Sequence, residues 1–163
     1  WVPKERGGEV MFGHRRQPVT MGTHLTYSLD AAVQMIMEEG LEARFARHAR
    51  IARAVKAATK ALGFKDVPHP TMESKTITAF YVPEGIDGGK LLHTLRDKYG
   101  VHFSGGLEDL SGKIVRIGHM GNTAAPEYVV PALSALELVL REMGYPAEIG
   151  AGLAAFHKEY EKA

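Results

Sequence analysis

One arginine stands in a stretch that is otherwise apolar. Arg116 lies within the β-branched run 114–117, where an unpaired guanidinium would be costly to bury. Because strand side chains alternate, Arg116 points away from Val115 and Ile117 and shares a face with Ile114. Two interpretations stay open. Arg116 is either an arginine on a solvated sheet face, paired with a surface carboxylate, or a planar group that binds a carboxylate or phosphate through two hydrogen bonds.

The eight histidines do not form a metal motif. None makes a His-x-x-x-His pair or a helical ligand pair that contains glutamate. His48 falls on the apolar stripe of a long helix, where a packed and hydrogen-bonded imidazole is the simpler interpretation. We therefore predict no metal site.

Charge and cysteine content exclude other classes. The 163 residues contain no cysteine, which excludes disulfide scaffolds, cysteine-ligated metals and thiol nucleophiles. Twenty basic residues against nineteen acidic ones give a net charge of +1, with no bulk attraction to nucleic acid or anionic lipid. The basic side of the long helix lacks interleaved aromatic residues, so it is interpreted as a solvated face. Residues 1–18 contain no apolar stretch typical of a signal peptide, and no apolar run approaches membrane-spanning length. We expect a cytoplasmic protein without nucleic-acid or membrane partners.

The elements that must position Arg116 follow from the hydrophobic pattern. Apolar residues at three- and four-residue steps predict a helix from about Thr23 to Gly40. They predict a longer helix that ends at Gly63, and its stripe comprises Leu41, Phe45, His48, Ala52, Val55, Ala58 and Leu62. A helix capped by Asp87, another that begins at Pro126 and a last one over 153–160 follow.

Three short β-branched or aromatic runs predict strands over 76–82, 101–104 and 113–118. Strands of this length among helices predict an α+β fold, with a short, mainly antiparallel sheet of three to four strands and helices packed on one face. Residues 1–22 show no period and are expected to be an extended lead-in, with the domain proper over 23–163.

Several stretches together resemble one enzyme family. The most specific is Gly105-Gly106-Leu107, a short spacer, Gly112–Gly118 and then Gly121-Asn122. The runs 27–29, 39–42, 61–63 and 150–155 add to it, in order and with compatible spacing. From about Thr20 onward the chain resembles the carboxyl-terminal small domain of class V pyridoxal-phosphate aminotransferases, in particular the alanine–glyoxylate and serine–pyruvate branch.

This resemblance implies fold type I of the pyridoxal-phosphate enzymes and a homodimer. It implies transfer of an amino group between a small amino acid (alanine, serine or aspartate) and an oxo-acid such as glyoxylate or pyruvate. Arg116 would bind the substrate carboxylate, and Thr20 would reach a cofactor phosphate. Absence of cysteine disfavours the cysteine desulfurases of the same superfamily.

The part of the chain that resembles this family lacks the lysine that binds the cofactor. Such enzymes hold pyridoxal phosphate on a lysine, and in the family that lysine lies upstream of everything matched. Lys4 stands too close to Thr20 and lacks the motif. We therefore expect a fragment that has no catalytic residue and is inactive alone, preceded by a missing large domain. The alternative is a free-standing α+β module that binds a small molecule or supports assembly without catalysis.

Overall fold

A computed structural model describes residues 22–162. Five α-helices and three β-strands follow one another in this part of the chain, joined by three short 3₁₀ helices. The order is α1 (Thr23–Glu39), α2 (Leu41–Ala61), β1 (Ile77–Tyr81), α3 (Gly88–Tyr99), β2 (Ser104–Gly105), β3 (Ile114–Gly118), α4 (Pro126–Glu142) and α5 (Ala151–Tyr160). The 3₁₀ helices are Pro70–Met72, Glu108–Leu110 and Gly121–Thr123.

The three strands form an antiparallel sheet with β3 in the centre. The strand order is β1–β3–β2. Ala79 of β1 and Ser104 of β2 are both paired with Arg116. Since the hydrogen-bonding groups of β3 are used on both sides, the strand that carries Arg116 is the most constrained of the three.

The two faces of the sheet differ in burial, as the predicted fold class requires. Thr78, Phe80, Val115 and Ile117 lie on the inner face and are buried. The helices cover this face, because the core cluster joins it to apolar residues of α2, α3, α4 and α5. The outer face carries Arg116, half-buried. The α+β prediction with helices on one face is confirmed.

Local signals explain where the helices begin and end. The Asp87 carboxylate accepts a hydrogen bond from the Lys90 backbone N–H at 2.9 Å and caps α3. Gly100 ends that helix in the left-handed conformation, with φ of 66°. Pro126 occupies the first turn of α4, where its missing N–H costs nothing.

The last helix is attached to α4 and α2. The buried carboxylate of Glu137, on α4, accepts hydrogen bonds from the backbone N–H groups of Gly150 at 2.6 Å and Leu153 at 3.2 Å. A carboxylate is favoured there because helix N-termini carry partial positive charge and unpaired N–H groups. At the other end, Arg50 of α2 donates to the Tyr160 carbonyl and stacks over its ring, 4.2 Å from the centroid.

The chain divides into two units, with the boundary between Leu41 and Glu42. The first unit contains α1, which has no buried residue. Its large apolar side chains are exposed, among them Leu25, Tyr27, Leu29, Val33, Met35 and Met37. The second unit contains the sheet and the core.

Two details of the sequence prediction are wrong. The amino-terminal end of the predicted stripe is exposed, with Leu41 at 52% and Phe45 at 61%, and burial on α2 begins at His48. The strand predicted over 101–104 is restricted to Ser104–Gly105. Val101 and Phe103 instead pack against the core cluster as half-buried side chains of a connecting segment.

Candidate functional site

Arg116 lies at the centre of the outer sheet face. Its Nε donates to the Gly105 carbonyl oxygen at 2.9 Å, which holds the guanidinium on the β2 side of β3. Within residues 22–162 its two terminal nitrogens have no hydrogen-bond partner, and no carboxylate is paired with it. Of the two interpretations left open by the sequence, pairing with a surface carboxylate is therefore not found in the described part of the chain.

Three neighbours of Arg116 on the outer face of the sheet are small residues. Ala79 and Ser104 flank it across the two strand pairs, and Gly118 follows it on the same face. All three side chains are small, and Ser104 and Gly118 are exposed. A guanidinium with two free nitrogens beside small residues matches the requirement for binding a planar anion through two hydrogen bonds.

The loop that supplies the Gly105 carbonyl cannot accept a side chain at its next residue. A Cβ added to Gly106 would lie 2.0 Å from the carbonyl oxygen of Leu110. The loop closes through hydrogen bonds from the Leu110 N–H to the Leu107 carbonyl at 2.9 Å and from the Lys113 N–H to the Leu110 carbonyl at 3.0 Å. Gly106 is thus needed for a close backbone approach next to the arginine.

The segment after β3 is held by two side chains of α2. His48 Nε2 accepts from the Gly121 N–H at 2.9 Å, and its Nδ1 lies 2.7 Å from the Arg44 carbonyl oxygen. These partners place the proton on Nδ1. Arg47 donates to the carbonyls of Gly121 and Ala124. The prediction that His48 is packed and hydrogen-bonded is confirmed.

His119 is a buried residue that sequence reasoning did not single out. It is fully buried, and its Nε2 lies 2.9 Å from Thr78 Oγ1. Its Nδ1 has no partner in the described part of the chain. Burial, with a smaller contribution from the nearby His48, lowers the pKa of the imidazole to about 4. Alternation from Val115 and Ile117 along β3 was the signal that could have placed it inside.

The described lysines do not fit a covalent site for pyridoxal phosphate. Eight of the nine in residues 22–162 are exposed. The ninth, Lys56, is ion-paired with Glu73 and with Asp66. A lysine that holds this cofactor must be desolvated and unpaired to act as a nucleophile. Thr20, the predicted phosphate ligand, lies outside the described residues.

Two further negative findings apply to residues 22–162. No group of three or more histidine, aspartate or glutamate side chains is placed to hold a metal ion. None of the described helices combines the length and the apolar character needed to cross a membrane.

Comparison with known proteins relates the chain to aminotransferases. No family model matches it. It is 38% identical over 139 residues to the serine–glyoxylate aminotransferase of Arabidopsis thaliana, covering 85% of this chain and 34% of that protein. It is 39% identical over 131 residues to an uncharacterized aminotransferase of Methanocaldococcus jannaschii, covering 80% of this chain and 34% of that one.

A solved structure gives the same relationship. The pyridoxamine–pyruvate aminotransferase from Mesorhizobium loti superposes with a TM-score of 0.82 at 38% identity, over 88% of this chain and 37% of that one. The chain therefore spans about a third of the length of the curated relatives it matches, and the match lies in their carboxyl-terminal part.

Proposed function

We propose that residues 23–163, which resemble aminotransferases at 38–39% identity, are the small domain of a class V aminotransferase, an enzyme that transfers an amino group. The donor is a small amino acid (alanine, serine or aspartate) and the acceptor an oxo-acid such as glyoxylate or pyruvate. The activities for which similar proteins are named support this choice, because they pair glyoxylate or pyruvate with serine, aspartate or pyridoxamine. Residues 1–22 are then the lead-in from a large domain.

In this proposal Arg116 binds the substrate carboxylate. The observation that carries it is the guanidinium itself, held through Nε by the Gly105 carbonyl at 2.9 Å while its two terminal nitrogens lack a partner in the described residues. Amino acids and oxo-acids share a carboxylate, so one clamp serves both substrates. A guanidinium that is already held in place loses little conformational entropy when it binds the carboxylate.

The cofactor-binding part of the site comes from outside residues 22–162. The cofactor of the proposed enzyme is pyridoxal phosphate, which supplies the electron sink for the reaction, and Thr20 is proposed as a phosphate ligand. The lysine that holds the cofactor lies in the large domain, so the present chain is inactive alone. The enzyme is proposed to be a cytoplasmic homodimer. Cell fractionation tests the compartment, and measuring the protein's mass in solution by analytical ultracentrifugation tests the dimer.

Replacing Arg116 tests the proposal in the full-length protein. Arg116→Lys keeps the positive charge but removes the two parallel donors. We expect kcat/KM for amino acid and oxo-acid to fall by roughly 30- to 1000-fold, the equivalent of about 2–4 kcal/mol for a charged, hydrogen-bonded pair. Steady-state transamination with alanine or serine as donor and glyoxylate as acceptor measures it.

Arg141→Lys is the matched control, because Arg141 is an exposed arginine at the end of α4. It should leave kcat/KM unchanged. Equal kinetics for Arg116→Lys and the unchanged protein would overturn the role of Arg116. A full-length protein without transaminase activity would instead favour the module that binds a small molecule without catalysis.

A further inference from the structure

Ser104 lies directly beside Arg116 on the outer face of the sheet. The two residues are paired across β2 and β3. Directly paired residues of an antiparallel sheet have Cβ atoms about 4.5–5.5 Å apart and side chains on the same face. Ser104 is exposed, and its hydroxyl has no hydrogen-bond partner within the described part of the chain. A donor is thus available next to the arginine.

The guanidinium is held toward this serine. Its Nε bond ends on the carbonyl of Gly105, the residue that follows Ser104 on the same strand. On the opposite side Arg116 is paired with Ala79, whose methyl group offers no hydrogen bond. Of the two residues paired directly with Arg116 across the strands, only Ser104 of β2 has a polar side chain.

We propose that Ser104 is a second ligand of the substrate carboxylate, donating a hydrogen bond from Oγ to the group that Arg116 binds. This assignment rests on the proposed function. A carboxylate has about four lone-pair positions, and a guanidinium that binds it through two hydrogen bonds uses two of them. A hydroxyl donor at a third position adds to the clamp without competing with Arg116, and it favours a carboxylate over a neutral amide.

Ser104→Ala and Ser104→Thr in the full-length enzyme test the assignment. We expect Ser104→Ala to raise KM for amino acid and oxo-acid roughly tenfold with little change in kcat, because a hydrogen bond to a charged group made equally in ground and transition states is lost. The inhibition constant of propionate, which offers a carboxylate without an amino group, should rise by the same factor. Ser104→Thr keeps the hydroxyl and should restore both values.

Ser111→Ala is the control, because Ser111 is an exposed serine outside the strands. An unchanged propionate constant in Ser104→Ala, while Arg116→Lys weakens propionate binding, would overturn the role of Ser104 and leave the proposed function standing. Equal losses in Ser104→Ala and Ser104→Thr would indicate a packing role and also overturn it. Absence of transamination in the unchanged full-length protein would overturn the proposed function, and this assignment with it.

Discussion

The imidazoles of His48 and His119 illustrate two ways in which a protein holds a buried histidine. His48 has a partner at each ring nitrogen, whereas His119 has one at Nε2 and none described at Nδ1. His119 belongs to the segment that follows the strand of Arg116, and His48 of α2 binds the same segment at the Gly121 N–H. A charged His119 would need a second acceptor within the core, so burial keeps it neutral.

This difference predicts a pH-dependent stability. The pKa of His119 is about 4 in the folded protein, against about 6.5 in an unfolded chain. Between these values the unfolded chain binds the extra proton, so the free energy of unfolding rises with pH through this window and falls as the pH drops from 6.5 to 4. The effect is on the order of 3 kcal/mol, measurable by urea unfolding at pH 4, 5, 6 and 7.

His119→Gln isolates this contribution, because glutamine can still hydrogen-bond Thr78 but does not titrate. The difference in unfolding free energy between the two proteins should change with pH over the window and be constant above it. A difference that is the same at pH 4 and pH 7 would contradict the buried neutral imidazole.

At the scale of elements, the tight loop between β2 and β3 determines where Arg116 is held. Gly105 provides the acceptor, and Gly106 passes against the Leu110 carbonyl with no space for a methyl group. A change at Gly106 therefore acts on the arginine only through the backbone. Gly106 is a positioning residue, distinct from the groups proposed to touch substrate.

Gly106→Ala should both destabilise the loop and weaken the carboxylate clamp. The added Cβ would lie 2.0 Å from the Leu110 oxygen, so the backbone must shift, at a cost of about 1–3 kcal/mol. We expect a lower thermal midpoint together with a raised KM in the full-length enzyme.

Gly118→Ala provides the comparison for stability, because a Cβ there meets nothing closer than the Met120 methyl at 3.8 Å. Its thermal midpoint should be close to that of the unchanged protein. A Gly106→Ala variant with a normal midpoint and a normal KM would refute the positioning role.

Local patterns predicted most elements but not their tertiary contacts. Alternation placed Arg116 on the face opposite Val115 and Ile117, and the cap at Asp87 was visible in the residue types. The bond from Arg116 to Gly105 joins residues 11 apart in the chain, and no periodicity encodes such a distance. The role of Glu137 was not predicted for the same reason. A glutamate on an apolar helix can be explained only once the N-terminus of α5 is known to lie beside it.

At the scale of the whole molecule, an apolar helix face is buried only where another element covers it. A sequence pattern does not predict which element that is. The apolar stripe over 41–62 was predicted as continuous, yet Leu41 and Phe45 are exposed. The helix α1 was predicted from the same kind of apolar spacing, yet it has no buried residue. The stripes identify helices correctly and overestimate the core that these helices build.

The environment of the described lysines also leads to a prediction of where the cofactor is attached. Borohydride reduction of the full-length protein loaded with pyridoxal phosphate should label one lysine, and peptide mapping should place it outside residues 22–162. The nine lysines described there are exposed or ion-paired, and surface lysines react only partially and without selectivity. A stoichiometric adduct at any one of these nine would contradict the proposed division of the enzyme.

The central position of β3 has a consequence for dynamics. A binding group on a surface loop must lose configurational freedom when its ligand arrives, and that loss weakens affinity. Arg116 instead sits on a strand bonded on both sides, so its backbone amides should be among the slowest to exchange with deuterium. The strand therefore holds Arg116 rigidly, and in the proposed enzyme any adjustment to ligands of different size must come from other segments.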